Sequence, residues 1–160
     1  MTVTNVIQDP EQLTLTVTSE FGATVDRVWQ MWDDPRLLER WWGPPTYPAT
    51  FVDHDLSPGG TARYYMTSPE GEKYHGWWKV ASVDAPNELR FDDGFGEDST
   101  SAPDDLPITQ TRVTIERAGD AATRMTIVST FPSLEAMEKV VAMGMVEGLS
   151  EALGQIDALL

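Results

Sequence analysis

Apolar and polar residues alternate in the first part of the chain. Leu13, Leu15 and Val17 are separated by single polar residues, a period typical of a strand with one buried face. We expect residues 1–10 to form a loose N-terminal segment. The chain therefore opens its regular structure with a half-buried strand.

The spacing of apolar residues then changes to that of a helix. Val28, Trp29 and Trp32 share one face at three- and four-residue steps, and Thr24 is a suitable N-cap. A second short helix is predicted from Pro35 to Trp42, because proline is favoured in the first turn.

Successive strands are predicted between Thr46 and Phe131, where apolar runs alternate with turn residues such as Ser57-Pro58-Gly59-Gly60. The predicted strands are Tyr47–Asp55, Thr61–Met66, Lys73–Val83, Glu88–Asp92, Thr109–Arg117 and Arg124–Phe131. The segment from Asp92 to Pro107 is predicted to be one long loop, because it is rich in Gly, Ser, Pro and Asp.

Side-chain direction follows from the period of two along a strand. Ala62, Tyr64 and Met66 form the expected inward set of their strand. Trp77 and Trp78 should point to opposite faces, and a change of parity after Val80 predicts a bulge near Ala81-Ser82.

A long C-terminal helix is predicted from Ser133 to the end of the chain. Its apolar stripe consists of Leu134, Met137, Val141, Met145, Gly148, Ala152, Ile156 and Leu159. Gly144 and Gly148 lie on or near this stripe, although each glycine costs roughly 1 kcal/mol relative to alanine within a helix. Either the sheet approaches closely there, or the space is kept for a ligand.

This order of elements resembles the helix-grip fold of the START-like (SRPBCC) superfamily. From about Thr14 to Leu160 the amino-acid sequence is similar to the bacterial family related to the activator of heat-shock protein 90 ATPase. The residues that carry the resemblance are Phe21, Ala23, Val28, Trp29, Pro35, Leu38, Trp41-Trp42, Asp55, Pro58-Gly59-Gly60, Arg63, Gly71, Gly76, the turn 86–89, the run 143–148, Ile156 and Leu160.

The resemblance implies an α+β fold in which a curved antiparallel sheet of about seven strands wraps around the C-terminal helix, with two short helices after the first strand. We expect one domain over residues 1–160, with a cavity between the sheet and that helix. Aromatic and methionine side chains suit an apolar pocket. The candidate ligand contacts are Trp32, Trp41, Tyr64, Met66, Trp78, Phe91, Phe131, Met137, Val141, Met145 and Gly148.

Composition excludes several kinds of chemistry. The chain has no cysteine, so it has no disulfide, thiolate nucleophile or cysteine-ligated metal. With 26 acidic and 11 basic residues, its net charge of -15 disfavours nucleic acid and anionic membranes. The N-terminus has neither a basic region nor a long apolar core, so we expect a cytoplasmic protein that has no membrane span.

Few residues offer catalytic or metal-binding chemistry. His54 and His75 are the only histidines, and both are interpreted as surface or rim residues. Six acids between Asp92 and Asp105 lack calcium-binding spacing, so they indicate a solvated loop that could act as a lid. We predict no metal and no cofactor, and we assign no catalytic residue.

Three functions follow from these observations. The first is binding of a small hydrophobic molecule, aromatic, polyketide-like or lipid-like, in the cavity. The second is a cyclase or hydrolase acting on a similar ligand, which requires an ionisable side chain inside the cavity. The third is a module that interacts with a heat-shock chaperone, which the family resemblance implies. Ligand binding without catalysis is the favoured interpretation.

Overall fold

The computed structural model describes residues 3–97 and 107–160. Its strands are β1 (Val3–Asp9), β2 (Thr14–Phe21), β3 (Ala49–His54), β4 (Thr61–Thr67), β5 (Lys73–Asp84), β6 (Glu88–Phe95), β7 (Thr109–Arg117) and β8 (Thr123–Thr130). Its helices are α1 (Val25–Asp33), α2 (Pro35–Trp41), α3 (Leu134–Ala142) and α4 (Met145–Leu153), followed by a 3₁₀ turn at Ile156–Leu159.

The strands form one antiparallel sheet in the order β1-β2-β8-β7-β6-β5-β4-β3. Helices and sheet share one apolar core, which confirms the predicted α+β helix-grip fold. The sheet has eight strands rather than about seven. The additional strand is β1, so the prediction of a loose N-terminal segment is wrong. Val6 pairs with Val17 and Asp9 with Thr14, and a register shift between Val3 and Asn5 interrupts the alternation that would have revealed the strand.

The two helices between β2 and β3 begin where the sequence predicts. The Thr24 hydroxyl accepts a hydrogen bond from the Arg27 N–H at 3.2 Å and caps α1. Asp34 separates the helices and accepts a hydrogen bond from the Arg36 N–H at 2.9 Å. These caps place Trp32 and Trp41 in the core, where both side chains are fully buried.

The predicted long C-terminal helix is broken into α3 and α4. Ser133 caps α3 as expected, since its hydroxyl accepts a hydrogen bond from the Ala136 N–H at 3.0 Å. The break lies at Gly144, whose φ of +92° belongs to the left-handed region that other residues rarely adopt. The apolar stripe continues on both sides of the break, so its periodicity did not reveal where the helix stops. None of the described helices is long and apolar enough to cross a membrane.

The prediction of a long loop from Asp92 to Pro107 is wrong at its beginning, where strand β6 continues and pairs with β5. Strand β6 extends to Phe95, so its last four residues are not part of a loop. The indole of Trp77 lies against the backbone of Gly94, and its Nε1 donates to the Phe95 carbonyl at 3.1 Å. This contact stabilises a strand end of poor β propensity. Residues 98–106 lie outside the described residues, and so does the suggested lid.

The register of β5 agrees with the predicted side-chain directions. Trp78 belongs to the core cluster, whereas Trp77 covers Gly94 on the outer face. The predicted bulge is confirmed by a register shift between Val80 and Ser82.

Candidate functional site

A cavity of about 300 Å³ lies between the inner face of the sheet and helices α3 and α4. Its walls are mostly apolar, with a few polar side chains on the sheet. The lining residues are Trp42, Pro44, Tyr64, Met66, Asp93, Phe95, Thr109, Thr111, Ile127, Ser129, Val140, Met143, Gly144, Met145, Gly148 and Leu149.

Tyr64 is held in this cavity by three neighbours. Its ring stacks on Phe51 with centroids 5.1 Å apart. Its phenol ring lies directly against Gly76 on β5, where a Cβ would collide with the ring carbons and the hydroxyl oxygen. The hydroxyl donates to Asp93 Oδ1 at 3.1 Å. A glycine on the neighbouring strand therefore provides the room in which the phenol reaches the carboxyl group.

Asp93 is the distinctive group of the site. Its side chain is half-buried, because one side faces the cavity and the other packs within the sheet. Burial raises the pKa of Asp93 to about 7, although the hydrogen bond from Tyr64 lowers it. Burial, and next the nearby Asp93 charge, raise the pKa of the Tyr64 phenol well above its ordinary value. A carboxyl group that changes protonation near neutral pH thus lies on the wall of an apolar cavity.

Three hydroxyl side chains continue a polar band from Asp93 across the sheet. Thr109 is the cross-strand partner of Asp93, and Thr111 is the partner of Ser129. All three hydroxyl residues are buried. The polar groups therefore follow a diagonal across β6, β7 and β8, with a step of two residues along β7, opposite the two C-terminal helices.

An aromatic cluster adjoins the other side of the cavity. Trp42 contacts Trp78 edge to face at 4.9 Å, and Trp78 stacks on Phe91 at 4.2 Å. Trp42 also meets the Tyr64 ring at 6.0 Å. Trp42 and Tyr64 are the members of this group that reach the cavity, while Trp78 and Phe91 lie behind them in the core.

The helices leave the cavity open at two glycines. A Cβ at Gly144 or Gly148 would meet no other atom within 4 Å. Close approach of the sheet therefore does not explain either residue. Gly144 is explained by its positive φ, whereas Gly148 lies within α4 and faces empty space, which agrees with the ligand-space interpretation.

Four predicted contact residues line the cavity, namely Tyr64, Met66, Met145 and Gly148. The others do not line it. Trp32, Trp41, Trp78, Phe91, Phe131 and Met137 are buried in the core, and Val141 packs partly buried against it. As direct ligand contacts these seven residues remain predictions. Their position shows that most of the aromatic residues form the core around the cavity.

Sequence reasoning missed Asp93 and Trp42. Asp93 shares its inward parity with Phe91, but the acidic run around it indicated a loop. Extending the predicted strand by one residue, from Asp92 to Asp93, would have placed its carboxyl group on the inward face. Trp42 was placed at the end of the predicted second helix, but α2 ends at Trp41 and Trp42 is its C-cap.

The histidines lie outside this site. His54 is half-buried, and its Nε2 lies 2.9 Å from the Trp32 carbonyl oxygen. His75 is exposed and packs beside Tyr65 on the outer face of the sheet. Across residues 3–97 and 107–160, no three acidic or histidine side chains are grouped so that they could hold a metal ion.

Solved structures with the same fold cover nearly the whole chain. Protein Ms6760 from Mycobacterium smegmatis is 50% identical, with a TM-score of 0.90, over 99% of this chain and 96% of that one. A protein from Arthrobacter aurescens is 52% identical, with a TM-score of 0.92, over 98% of this chain and 91% of that one. Among curated proteins, none matches the chain.

A more distant structure shows the fold alone. DynU16, described as a putative protein in the dynemicin biosynthetic locus, is 20% identical, with a TM-score of 0.63. The match covers 94% of this chain but 48% of DynU16.

The family profile agrees with the architecture and the cavity. The profile described as "Activator of Hsp90 ATPase homolog 1-like protein" matches residues 22–160. That range includes both short helices, the strands that carry Tyr64 and Asp93, and both C-terminal helices. Because the match covers most of the chain and the helix-grip fold is the one that the family resemblance implies, the protein belongs to the Activator of Hsp90 ATPase homolog 1-like family of the START-like (SRPBCC) superfamily.

Proposed function

We propose that the protein binds a small, mostly apolar molecule in the cavity between the sheet and helices α3 and α4. The observation that carries this proposal is an apolar cavity in which a diagonal band of polar groups begins at the Tyr64–Asp93 pair. Apolar walls with a few convergent polar groups are typical of small-molecule sites. The volume of about 300 Å³ lies at the lower end of the range of about 300 to 1,000 Å³ for such sites.

The expected ligand is therefore compact, with an apolar body of about one or two rings and one hydrogen-bonding group. Its body would contact Trp42 and Leu149, and its polar group would meet Asp93 and Thr109. Gly148 supports this arrangement, because a larger side chain at that position would occupy the space.

Thermal unfolding with a panel of aromatic, polyketide-like and lipid-like compounds tests the proposal. A ligand at about 100 times its Kd stabilises the folded protein by about 2.7 kcal/mol. For a chain of this size that corresponds to a Tm increase of roughly 5–10 °C. Absence of any shift across the panel would contradict the proposal.

A pair of leucine variants identifies the binding site. Gly148→Leu fills the cavity and should abolish the shift while the protein stays folded, because leucine is the better helix former. Glu147→Leu adds the same side chain at an exposed position of the same helix and should leave the shift unchanged. Equal behaviour of the two variants would place binding elsewhere.

The Tyr64–Asp93 pair also favours a second candidate function, an enzyme that uses general acid–base catalysis on a similar ligand. A carboxyl group with a pKa of about 7 both accepts and returns a proton at neutral pH. Mass spectrometry of each bound compound after incubation tests this function. Conversion by the native protein and not by Asp93→Asn would support an enzyme, and unchanged ligands would support binding alone.

A further inference from the structure

The charges around the cavity indicate which polar group the ligand carries. We propose, resting on the proposed function, that the cavity selects apolar molecules that carry a protonated amine, with the carboxylate of Asp93 as the counter-ion.

Asp93 is the only side chain of the described lining that can carry a full charge near neutral pH. No lysine, arginine or histidine of residues 3–97 and 107–160 lines the cavity. A carboxylate or phosphate ligand would lie close to Asp93 without a cation to pair with it. An ammonium group, by contrast, would supply the opposite charge that a buried carboxylate requires.

The Asp93 carboxylate has capacity left for such a partner. Among the described residues its only hydrogen bond comes from the Tyr64 hydroxyl, which reaches Oδ1. An ionised carboxylate can accept about four hydrogen bonds. An ammonium group has three donors, so it could bind Asp93 and still reach the Thr109 hydroxyl on the neighbouring strand.

Aromatic rings on the same cavity favour a cation as well. Trp42, Tyr64 and Phe95 all line it. Ring faces attract cations, tryptophan most strongly, and the attraction increases when the cation is removed from water. The net charge of -15 acts in the same direction at long range, because it raises the local concentration of cations.

One feature of the helices acts in the opposite direction. The N-terminus of helix α4 lies at the cavity, and its N-cap residue Gly144 provides no side-chain cap. The positive end of a helix corresponds to about half an elementary charge, which is less than the full charge of an ionised Asp93. The net charge of the described cavity lining therefore stays negative once Asp93 has lost its proton.

Binding of an amine should be coupled to the protonation of Asp93. Among the described residues of the elements packed around it, Tyr64 on β4 is the only other titratable residue that faces it. Its flanking partners Trp78 and Thr109, and the cavity residues of α3 and α4, carry no charge. With a pKa of about 7, free Asp93 is partly protonated near neutral pH, and a nearby cation lowers a carboxyl pKa. Amine binding near pH 7 should therefore release a fraction of a proton.

Three probes with one apolar body test the inference by calorimetry. They are 2-(2-naphthyl)ethylamine, 2-(2-naphthyl)ethanol and 2-naphthylacetic acid, which present an ammonium, a hydroxyl and a carboxylate group. We expect the amine to bind about tenfold or more tightly than the alcohol, and the acid to bind most weakly. The enthalpy of amine binding should change with the ionisation enthalpy of the buffer, since a proton is released.

Two variants assign the preference to Asp93. Asp93→Asn should remove both the preference for the amine and the proton release. Asp92→Asn makes the same change one residue away, on the outer face with Arg90, and should preserve both. Cooperative unfolding of Asp93→Asn serves as the control that this variant is folded, so that a lost preference reports the missing carboxylate.

The outcomes separate this inference from the proposed function. If the alcohol or the acid binds as tightly as the amine, or if Asp93→Asn keeps the preference, the inference is refuted while ligand binding stands. If no probe and no compound of the wider panel binds, the proposed function fails and the inference fails with it.

Discussion

Replacing Asp93 by asparagine should make the protein more stable at high pH than at low pH, relative to the native chain. Asparagine has nearly the shape of aspartate and still accepts a hydrogen bond from Tyr64, but it cannot ionise. Any constant cost of the substitution is the same at every pH. The pH-dependent part of the difference therefore reports the ionisation of Asp93 alone.

The sign follows from the raised pKa. In the native protein burial raises the pKa of Asp93 from 3.8 to about 7. The stability that this group contributes is fully present below its unfolded pKa and is lost as the pH rises through about 7. At 1.36 kcal/mol per pKa unit the total is about 4 kcal/mol, of which ~3 kcal/mol falls between pH 5 and pH 8.

Urea unfolding at pH 5, 6, 7 and 8 measures this effect. The free energy of unfolding of Asp93→Asn minus that of the native protein should increase by ~3 kcal/mol over this range and become constant above pH 8. Asp92→Asn serves as the matched control for the loss of one acidic group, and its difference should change by much less. A difference for Asp93→Asn that stays constant with pH would show that the carboxyl group is ionised at ordinary pH, and the reasoning about its burial would be wrong.

Three further variants test the geometry of the site. Tyr64→Phe removes the hydrogen bond that lowers the pKa of Asp93, so this pKa should rise above about 7. Carbon-detected NMR titration of the carboxyl group measures the change, and a lower pKa would contradict the assigned contact. Gly76→Ala should displace the phenol ring of Tyr64 and lower the free energy of unfolding by roughly 1–3 kcal/mol. It should also raise the Asp93 pKa in the same titration. Unchanged stability and titration would show that the ring has room to move. Gly144→Ala should cost about 1–2 kcal/mol in urea unfolding because of its φ of +92°, and an increase in stability would mean that α3 and α4 can join into one helix.

The sequence predicted those parts of the fold in which one local signal and the tertiary structure agree. The alternation around Leu15 and Val17 identified β2, and Thr24 and Ser133 cap the helices that they were expected to cap. The bulge near Ser82 was visible as a change in parity. In each case burial, capping or pleat direction is decided by the same few residues that carry the signal.

The errors lie where a distant partner overrides local preference. The end of β6 contains Asp92 and Gly94, which disfavour strands. Trp77 on the neighbouring strand covers Gly94 and stabilises the pairing. Likewise, β1 forms because β2 offers it an unpaired edge, although its own pattern is irregular. The preferences of a short segment contain no information about such partners.

The candidate site was only partly predictable for a related reason. Tyr64 and Met66 were recognised from strand parity, and Met145 and Gly148 from the helical stripe. Asp93 was not recognised, because the acidic residues around it indicated a loop, and the extent of its burial depends on β7 and on the two C-terminal helices. The large aromatic residues were assigned to the cavity although most of them form the core behind it, since aromatic character alone does not distinguish a wall from its support.

The aromatic cluster beside the cavity has an optical consequence. Trp32, Trp41, Trp42 and Trp78 form a connected set in which neighbouring ring centroids lie between 4.8 and 6.0 Å apart. At such separations the excited states of indoles couple, and excitation passes readily from one ring to the next. These four tryptophans should therefore behave as a single chromophore, with a strong exciton couplet in the ultraviolet circular dichroism spectrum. An occupant of the cavity that touches Trp42 alone would alter the signal of all four.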